Sequence, residues 1–444
     1  MTTITFAAPG LQRLREQLQH PALESGAILL CSPMPLTSGG ERLLVIEVHV
    51  PTDADYTVRT LVRVEMSSAF CLPIEQAARQ RKLSLVYVHT HPGAAVAEFS
   101  SVDDDAEQQM AGYLKMRGPH VSHAAMLFGQ TEVRARLLGA QEPVKVVEVG
   151  DTLQIHSDDA GPVKTQDQFD RQVRAFGEDG QRRLSQLRIA IVGLGGTGSL
   201  VAQQCAHLGV GEILLVDDDR IEFTNLNRVV GATRRDVDEP KVEVARRMIQ
   251  QINPDARVTT LPKDVTQDGV ARRVIESDLV FCCTDSHASR HVLNQAAYQY
   301  LTPVIDMGVS ISVASNGAAT FAGHSKLLAP GQACLWCSKH LDSEQVRREL
   351  MTDEQRAGDP YVLGAAHGVQ PAVISLNSTM ASISVTMMLA VVAGVPAAPR
   401  YVLYQGNRGR MNAAVADRDL SCPFCSPFAP LGWGDLLQLP GKQP

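Results

Sequence analysis

Arg188-Ile-Ala-Ile-Val-Gly193-Leu-Gly195-Gly196-Thr-Gly198 is the stretch that decides the fold. A short apolar run ends in clustered glycines, a helical pattern continues from Ser199 to Gly209, and a second apolar run follows at Glu212–Asp217. Strand, tight turn, helix and strand make a βαβ unit. Glycines without side chains let a phosphate approach the backbone, and N–H groups at a helix start attract anions. Asp217, ending the second strand, is placed for ribose hydroxyls, which suits an NAD site as well as an ATP site. The alternation runs on through Asp278–Cys283, so the expected fold class is α/β, a mostly parallel sheet covered by helices on both faces.

Upstream of this unit the pattern changes. Up to Gly150 short β-rich pieces such as Leu43–Val50 and Leu83–His91 alternate with helical stretches, a mixed α+β pattern. Residues 151–167 are polar and acidic with Gly-Pro inside, which reads as a linker. The expected division is therefore 1–150, a linker at 151–167, and 168–444, in keeping with 444 residues. Lys and Arg number 41 against 48 Asp and Glu, and a net charge of −7 leaves no global field to hold nucleic acid or an anionic membrane. The N-terminus lacks a basic segment followed by an apolar run, so a cytoplasmic protein is expected. Gly368–Pro399 carries no charge over a length that could cross a bilayer, but its many Ser, Thr and Asn residues favour a buried helix.

Two strings carry chemistry. The first is His89-Thr-His91-Pro92, seven residues, then Ser100-Ser-Val-Asp103. Residues i and i+2 of a strand face one side, so His89 and His91 can offer imidazoles to one ion, with Asp103 as an oxygen ligand from the next helix. A zinc with an open position for water implies catalysis, and Glu24 is the candidate carboxylate to shuttle the proton. These residues resemble the JAMM/MPN+ metalloproteases, whose pattern is an upstream Glu, HxHP, seven residues and SxxD. The resemblance covers residues 1–140 or so. It implies zinc on His89, His91 and Asp103, Glu24 as general acid/base, Ser100 beside the oxyanion, and cleavage after the C-terminal glycine of ubiquitin-like proteins.

The second string separates ATP from NAD. Asp217-Asp-Asp219 leads to Asn225-Leu-Asn-Arg228, then Pro240-Lys241, then Asp285 at a strand's carboxyl end. Arg228 and Lys241 can neutralise a triphosphate, and Asp285 can hold Mg2+. The series resembles the ThiF/MoeB and ubiquitin-activating superfamily over residues 166–426. By that resemblance Gly193, Gly195, Gly196, Gly198, Asp217 and Asp219 form the nucleotide site, Asn225, Arg228 and Lys241 contact phosphates, and Arg171 reaches the active site of a partner subunit, which implies a homodimer. Cys334-Leu-Trp-Cys337 and Cys422-Pro-Phe-Cys425 give four thiolates, enough to close a tetrahedral metal site without water. This agrees with the structural zinc of many superfamily members. Residues 338–421 contain no cysteine, so the thioester nucleophile of many relatives is missing from its usual neighbourhood.

The functional expectation is adenylation of the C-terminal glycine carboxylate of a ubiquitin-like or sulfur-carrier protein with ATP and Mg2+, coupled to zinc-dependent trimming or deconjugation. The alternatives are adenylation of a peptide or small-molecule carboxylate, and a ubiquitin-like-protein binding module with inactive sites. A dehydrogenase ranks behind these.

Overall fold

The computed structural model describes residues 2–94, 96–118, 121–156, 166–352, 355, 371–394 and 398–442. The chain forms two compact units, one of residues 1–161 with 299–301 and 430–438, the other of the remaining residues. In the first unit the elements are β1 (Thr3–Ala7), α1 (Gly10–Leu18), β2 (Gly26–Pro35), β3 (Glu41–His49), β4 (Tyr56–Arg59), β5 (Val64–Met66), α2 (Ser68–Arg81), β6 (Ser84–Thr90), α3 (Ser101–Arg117), β7 (Ala124–Phe128), β8 (Val133–Leu137), β9 (Lys145–Val149) and β10 (Leu153–Ile155). The second unit holds α4 (Asp170–Gln186), β11 (Arg188–Val192), α5 (Gly196–His207), β12 (Glu212–Val216), α6 (Lys241–Ile252), β13 (Arg257–Leu261), α7 (Val270–Val274), β14 (Leu279–Cys282), α8 (His287–Gln299), β15 (Val304–Val313), β16 (Ala319–Leu328), α9 (Ser343–Leu350), α10 (Ile374–Val392), β17 (Tyr401–Gln405) and β18 (Arg410–Ala413).

The first sheet has the order β10-β9-β1-β3-β2-β6-β7-β8 and mixes parallel and antiparallel pairs. Its central strand β2 is apolar from Gly26 to Cys31 because that stretch is buried on both faces. Leu29 and Cys31 point into one core with Leu11, Leu14 and Leu18 of α1, while Ile28 and Leu30 point into another with Ile74 and Ala78 of α2 and Leu114 of α3. Three layers result, with the sheet in the middle. Residues 153–155, expected in the linker, form β10 instead and pair antiparallel with β9, because Leu153 alternates inward. Residues 157–165 of that linker lie outside the described residues.

The second sheet runs β13-β12-β11-β14-β15-β16-β17-β18. From β13 to β15 every pairing is parallel, as helical crossovers require. The sheet is thus parallel-rich, as expected, and beyond β15 it carries an antiparallel extension that the sequence did not announce. The reason is local: β15 returns to β16 through a tight turn in which Gly317 takes φ +79°, with no helix to carry the chain across. Helix α10 is long and apolar enough to cross a bilayer by composition and length, and half of it is buried in this unit. Ser378, Thr379 and Thr386 each donate a hydroxyl hydrogen bond to the carbonyl four residues earlier, which satisfies those polar groups within the helix.

Candidate functional site

In the first unit the register of two strands builds a cluster. Gly26 of β2 pairs with His89 of β6, and the Ser25 amide donates to Thr90 Oγ1 at 2.9 Å, so Glu24 arrives beside the histidines. Arg59 of β4 fixes this edge, donating from Nε to the Glu24 carbonyl at 3.1 Å and from Nη2 to Ser25 Oγ at 2.8 Å. Nothing in the sequence pattern marked Arg59; its role follows from the β4–β5 ribbon folding back over residue 24. One donor atom each from His89, His91 and Asp103 lies within 4.8 Å of the others. His89 Nε2 stands 3.1 Å from Asp103 Oδ1, and His91 Nε2 stands 3.7 Å from both Asp103 Oδ2 and Glu24 Oε1. The His89 contact is not aligned as a hydrogen bond, which leaves a buried nitrogen that a cation would satisfy. Two imidazoles, one of them with this orphaned nitrogen, and a carboxylate fit zinc.

Burial pushes the Glu24 carboxyl up to about 7, against the opposing pull of His89. Burial acts the same way on Asp103, but the close His89 imidazole and the hydrogen bonds from Ser100 carry it well below the carboxylate range. Ser100 is placed differently from the expected oxyanion donor. It is the N-cap of α3: its hydroxyl donates to Asp103 Oδ2 at 2.8 Å and accepts from the Asp103 amide at 3.3 Å.

In the second unit the C-terminal ends of β11, β12, β14 and β15 open into a cleft of about 670 Å3. Gly193 takes φ +87°, and a Cβ there would meet the backbone of Cys283 and Thr284 at 2.9 Å; a Cβ on Gly198 would sit 1.8 Å from the Gly193 carbonyl oxygen. Glycine is therefore required at both positions for the turn to close onto α5. Gly195 and Gly196 line the cleft, and so do Asn225, Arg228, Lys241 and Asp285. Asp217 accepts from the Leu194 amide at 2.5 Å and from the Asp219 amide at 2.8 Å, so it ties the glycine turn to the acidic strand end. Burial raises its carboxyl, with Lys241 opposing. Lys241 Nζ pairs with Asp219 Oδ2 at 2.6 Å and lies 3.9 Å from Asp217 Oδ1. Asn225 is buried and its Oδ1 accepts from the Glu222 amide at 3.2 Å, while Arg228 Nη1 donates to the Thr224 carbonyl at 2.8 Å. Arg171 is exposed on α4.

The ThiF family profile matches residues 169–424. The chain belongs to the ThiF family. The Escherichia coli sulfur carrier protein ThiS adenylyltransferase is 28% identical over 56% of this chain and 89% of its own length. The E. coli molybdopterin-synthase adenylyltransferase is 29% identical over 58% and 95%. The Haloferax volcanii SAMP-activating enzyme E1 is 34% identical over 36% of this chain and 56% of that protein. Among solved structures, E. coli MccB with ATP superposes with a TM-score of 0.48 at 19% identity, over 59% of this chain and 75% of that one.

Within the ThiF unit, residues the sequence reading missed also line the cleft: Lys263, Arg290 and Asn377. Asn377 is the one with a sequence signal, a buried amide near the start of an apolar helix, and its Nδ2 would be 2.1 Å from a Cβ on Gly196. The four paired cysteines gather as well, with Cys334 Sγ and Cys422 Sγ 3.6 Å apart and Cys337 Sγ and Cys425 Sγ 3.6 Å apart. That is far beyond a disulfide at about 2.05 Å and close to the ~3.8 Å edge of a tetrahedron built on zinc–sulfur bonds of about 2.3 Å. Hydrogen bonds, that to Cys425 foremost, lower Cys334 to about 5 while Cys425 is raised, so one thiolate is favoured even before a cation supplies charge. The donor set fits zinc. The Asp285 carboxylate, exposed at the cleft, is the group that fits Mg2+ of Mg·ATP. The expected nucleophile neighbourhood at Tyr361–Gly368 lies outside the described residues.

Proposed function

We propose that the ThiF unit adenylates the C-terminal glycine carboxylate of a ubiquitin-like or sulfur-carrier protein. The observation that carries this reading is the cleft itself, where the glycine turn, Arg228, Lys241 and Asp285 converge at the strand ends. The carboxylate oxygen bonds to the α-phosphorus of ATP as the bond to pyrophosphate breaks, and the electron pair leaves with pyrophosphate. Lys241 and Arg228 neutralise the charge that moves outward, and Asp285 would hold Mg2+, which would supply further positive charge against the phosphates. Relatives named for activating ThiS, molybdopterin synthase and SAMP support the substrate class. Arg171, exposed on α4, would serve the second active site of a homodimer in this reading.

The acyl-adenylate is then consumed by a nucleophile from outside this chain. Cys31, Cys205, Cys282 and Cys283 are buried and burial raises their thiols; burial also raises Cys71, to about 11. A thiol held that high offers little thiolate at neutral pH. The test is ATP–pyrophosphate exchange by the full chain with a panel of small proteins ending in glycine. Exchange that needs such a protein supports the reading; exchange undiminished in Asp285→Ala contradicts the assigned site.

The first unit supports a second activity in the same reading, zinc-dependent cleavage after glycine. Zinc bound by His89, His91 and Asp103 would lower the pKa of its water. Glu24, with a carboxyl near 7, is suited to take a proton from water and give it to the departing amine. Such cleavage creates the free carboxylate that adenylation consumes. Incubation with a glycine-terminated carrier bearing a short C-terminal tail tests it, with tail release in the wild type and none in Glu24→Ala expected.

A further inference from the structure

The chemistry of the cleft leaves unused the charged run that follows the first cysteine pair, and part of that run forms α9. Asp342 caps this helix, its Oδ1 accepting from the Gln345 amide at 2.9 Å. Glu344 is spent on Arg347 and Arg348, and Val346 is buried. Both ends of α9 fasten to the start of α8. At one end the Asp342 amide donates to His287 Nδ1 at 3.2 Å. At the other, Glu349 Oε2 accepts from Ser286 Oγ at 2.6 Å and from the Ala288 amide at 2.8 Å. A carboxylate there satisfies an N–H that has no partner inside the helix and meets the positive end of the helix dipole.

The residues so held flank Asp285. Thr284, Asp285, Ser286 and Ser289 line the nucleotide cleft, and Glu349 is not among its lining residues. The Ser286 amide donates to Thr284 Oγ1 at 3.2 Å, and the Ser286 hydroxyl, besides donating to Glu349, accepts from the Ser289 amide at 3.1 Å. Ser286 is thus a junction that fixes the peptide on either side of the exposed Asp285 carboxylate, and Glu349 is the charged group that locks the junction.

We propose that Glu349 is a positioning residue for magnesium: from outside the cleft it sets the direction in which Asp285 presents its carboxylate to Mg·ATP. The proposal rests on the reading of the cleft as an ATP site. Magnesium demands near-ideal octahedral geometry, so a small swing of Asp285 weakens the metal's contribution more than the nucleotide's own contacts.

Calorimetric titration of the full chain with ATP, in excess Mg2+ and again in EDTA, separates the two. The readout is the ratio of the two dissociation constants. In Glu349→Ala the Mg2+-dependent gain falls by about tenfold, the equivalent of one charged hydrogen bond, while Mg2+-free binding is unchanged. Glu349→Gln keeps the gain, because an amide oxygen accepts the same two hydrogen bonds. Adding Glu349→Ala to Asp285→Ala changes nothing further. Should Glu349→Ala fail to fold, Glu349→Asp, whose shorter side chain cannot hold both the Ser286 hydroxyl and the Ala288 amide, carries the same expectation. A folded Glu349→Ala chain with the wild-type ratio overturns the proposal alone. A wild-type chain whose ATP affinity is indifferent to Mg2+ overturns the ATP reading and this inference with it.

Discussion

At the scale of single residues, the glycine turn is where contacts decide. Gly198→Ala drives a methyl group into a backbone carbonyl that cannot rotate away, whereas a Cβ on Gly195 meets nothing within 4 Å. Urea unfolding should therefore show a loss of about 1–3 kcal/mol for Gly198→Ala and within about 0.5 kcal/mol for Gly195→Ala. His123 gives a pH test. Its Nδ1 accepts from the Leu85 amide at 3.0 Å, and burial depresses the imidazole from 6.5 to about 4. Because the folded state disfavours the charged ring, stability is whole above pH 6.5 and is lost as pH falls toward 4. Hydrogen exchange at the Leu85 amide, corrected for intrinsic rate, should lose protection over that window, and His123→Asn should flatten the dependence. Much of the residue scale was legible in the sequence: the spacings named His89, His91 and Asp103, which the fold gathers, and Asn225, Arg228, Lys241 and Asp285, which line the cleft. Arg59, Lys263 and Arg290 were not, because they reach the sites by folding back onto them rather than through any local pattern.

At the scale of elements, the legible part was the βαβ unit, since an apolar pentapeptide followed by glycines has few other readings. The antiparallel extension of the second sheet was hidden because β15 turns straight into β16, and because β17 pairs antiparallel with β16 although α9 and α10 lie between them; strand direction is set by such connections rather than by composition. Helix α3 shows how an element competes with a site for one residue. The sequence suggested that Ser100 faces a reacting oxygen, yet its hydroxyl is engaged with Asp103 at the helix start. If capping is its role, Ser100→Ala costs about 1 kcal/mol of stability and leaves tail cleavage by the remaining folded protein nearly unchanged. A large fall in kcat without a fall in stability would restore the oxyanion role.

At the scale of the whole molecule, the two units carry separate donor sets, and metal analysis should find two zinc ions per chain. One, on His89, His91 and Asp103, should be removed by chelators; the other, on four cysteines, should be retained and should vanish in Cys334→Ser together with a lowered melting temperature of the second unit. The account assigns trimming to one unit and activation to the other. Glu24→Ala should then abolish release of a C-terminal tail yet spare adenylation of a pre-trimmed carrier, and Lys241→Ala should do the reverse. The most direct test of the central claim is mass spectrometry of a glycine-terminated carrier incubated with the full chain, ATP and Mg2+, alongside pyrophosphate exchange. The account predicts an AMP adduct on the carrier's terminal carboxylate, with exchange that requires the carrier and is lost in Asp285→Ala and Lys241→Ala. Exchange without any carrier, or an adduct that persists in both variants, would contradict it.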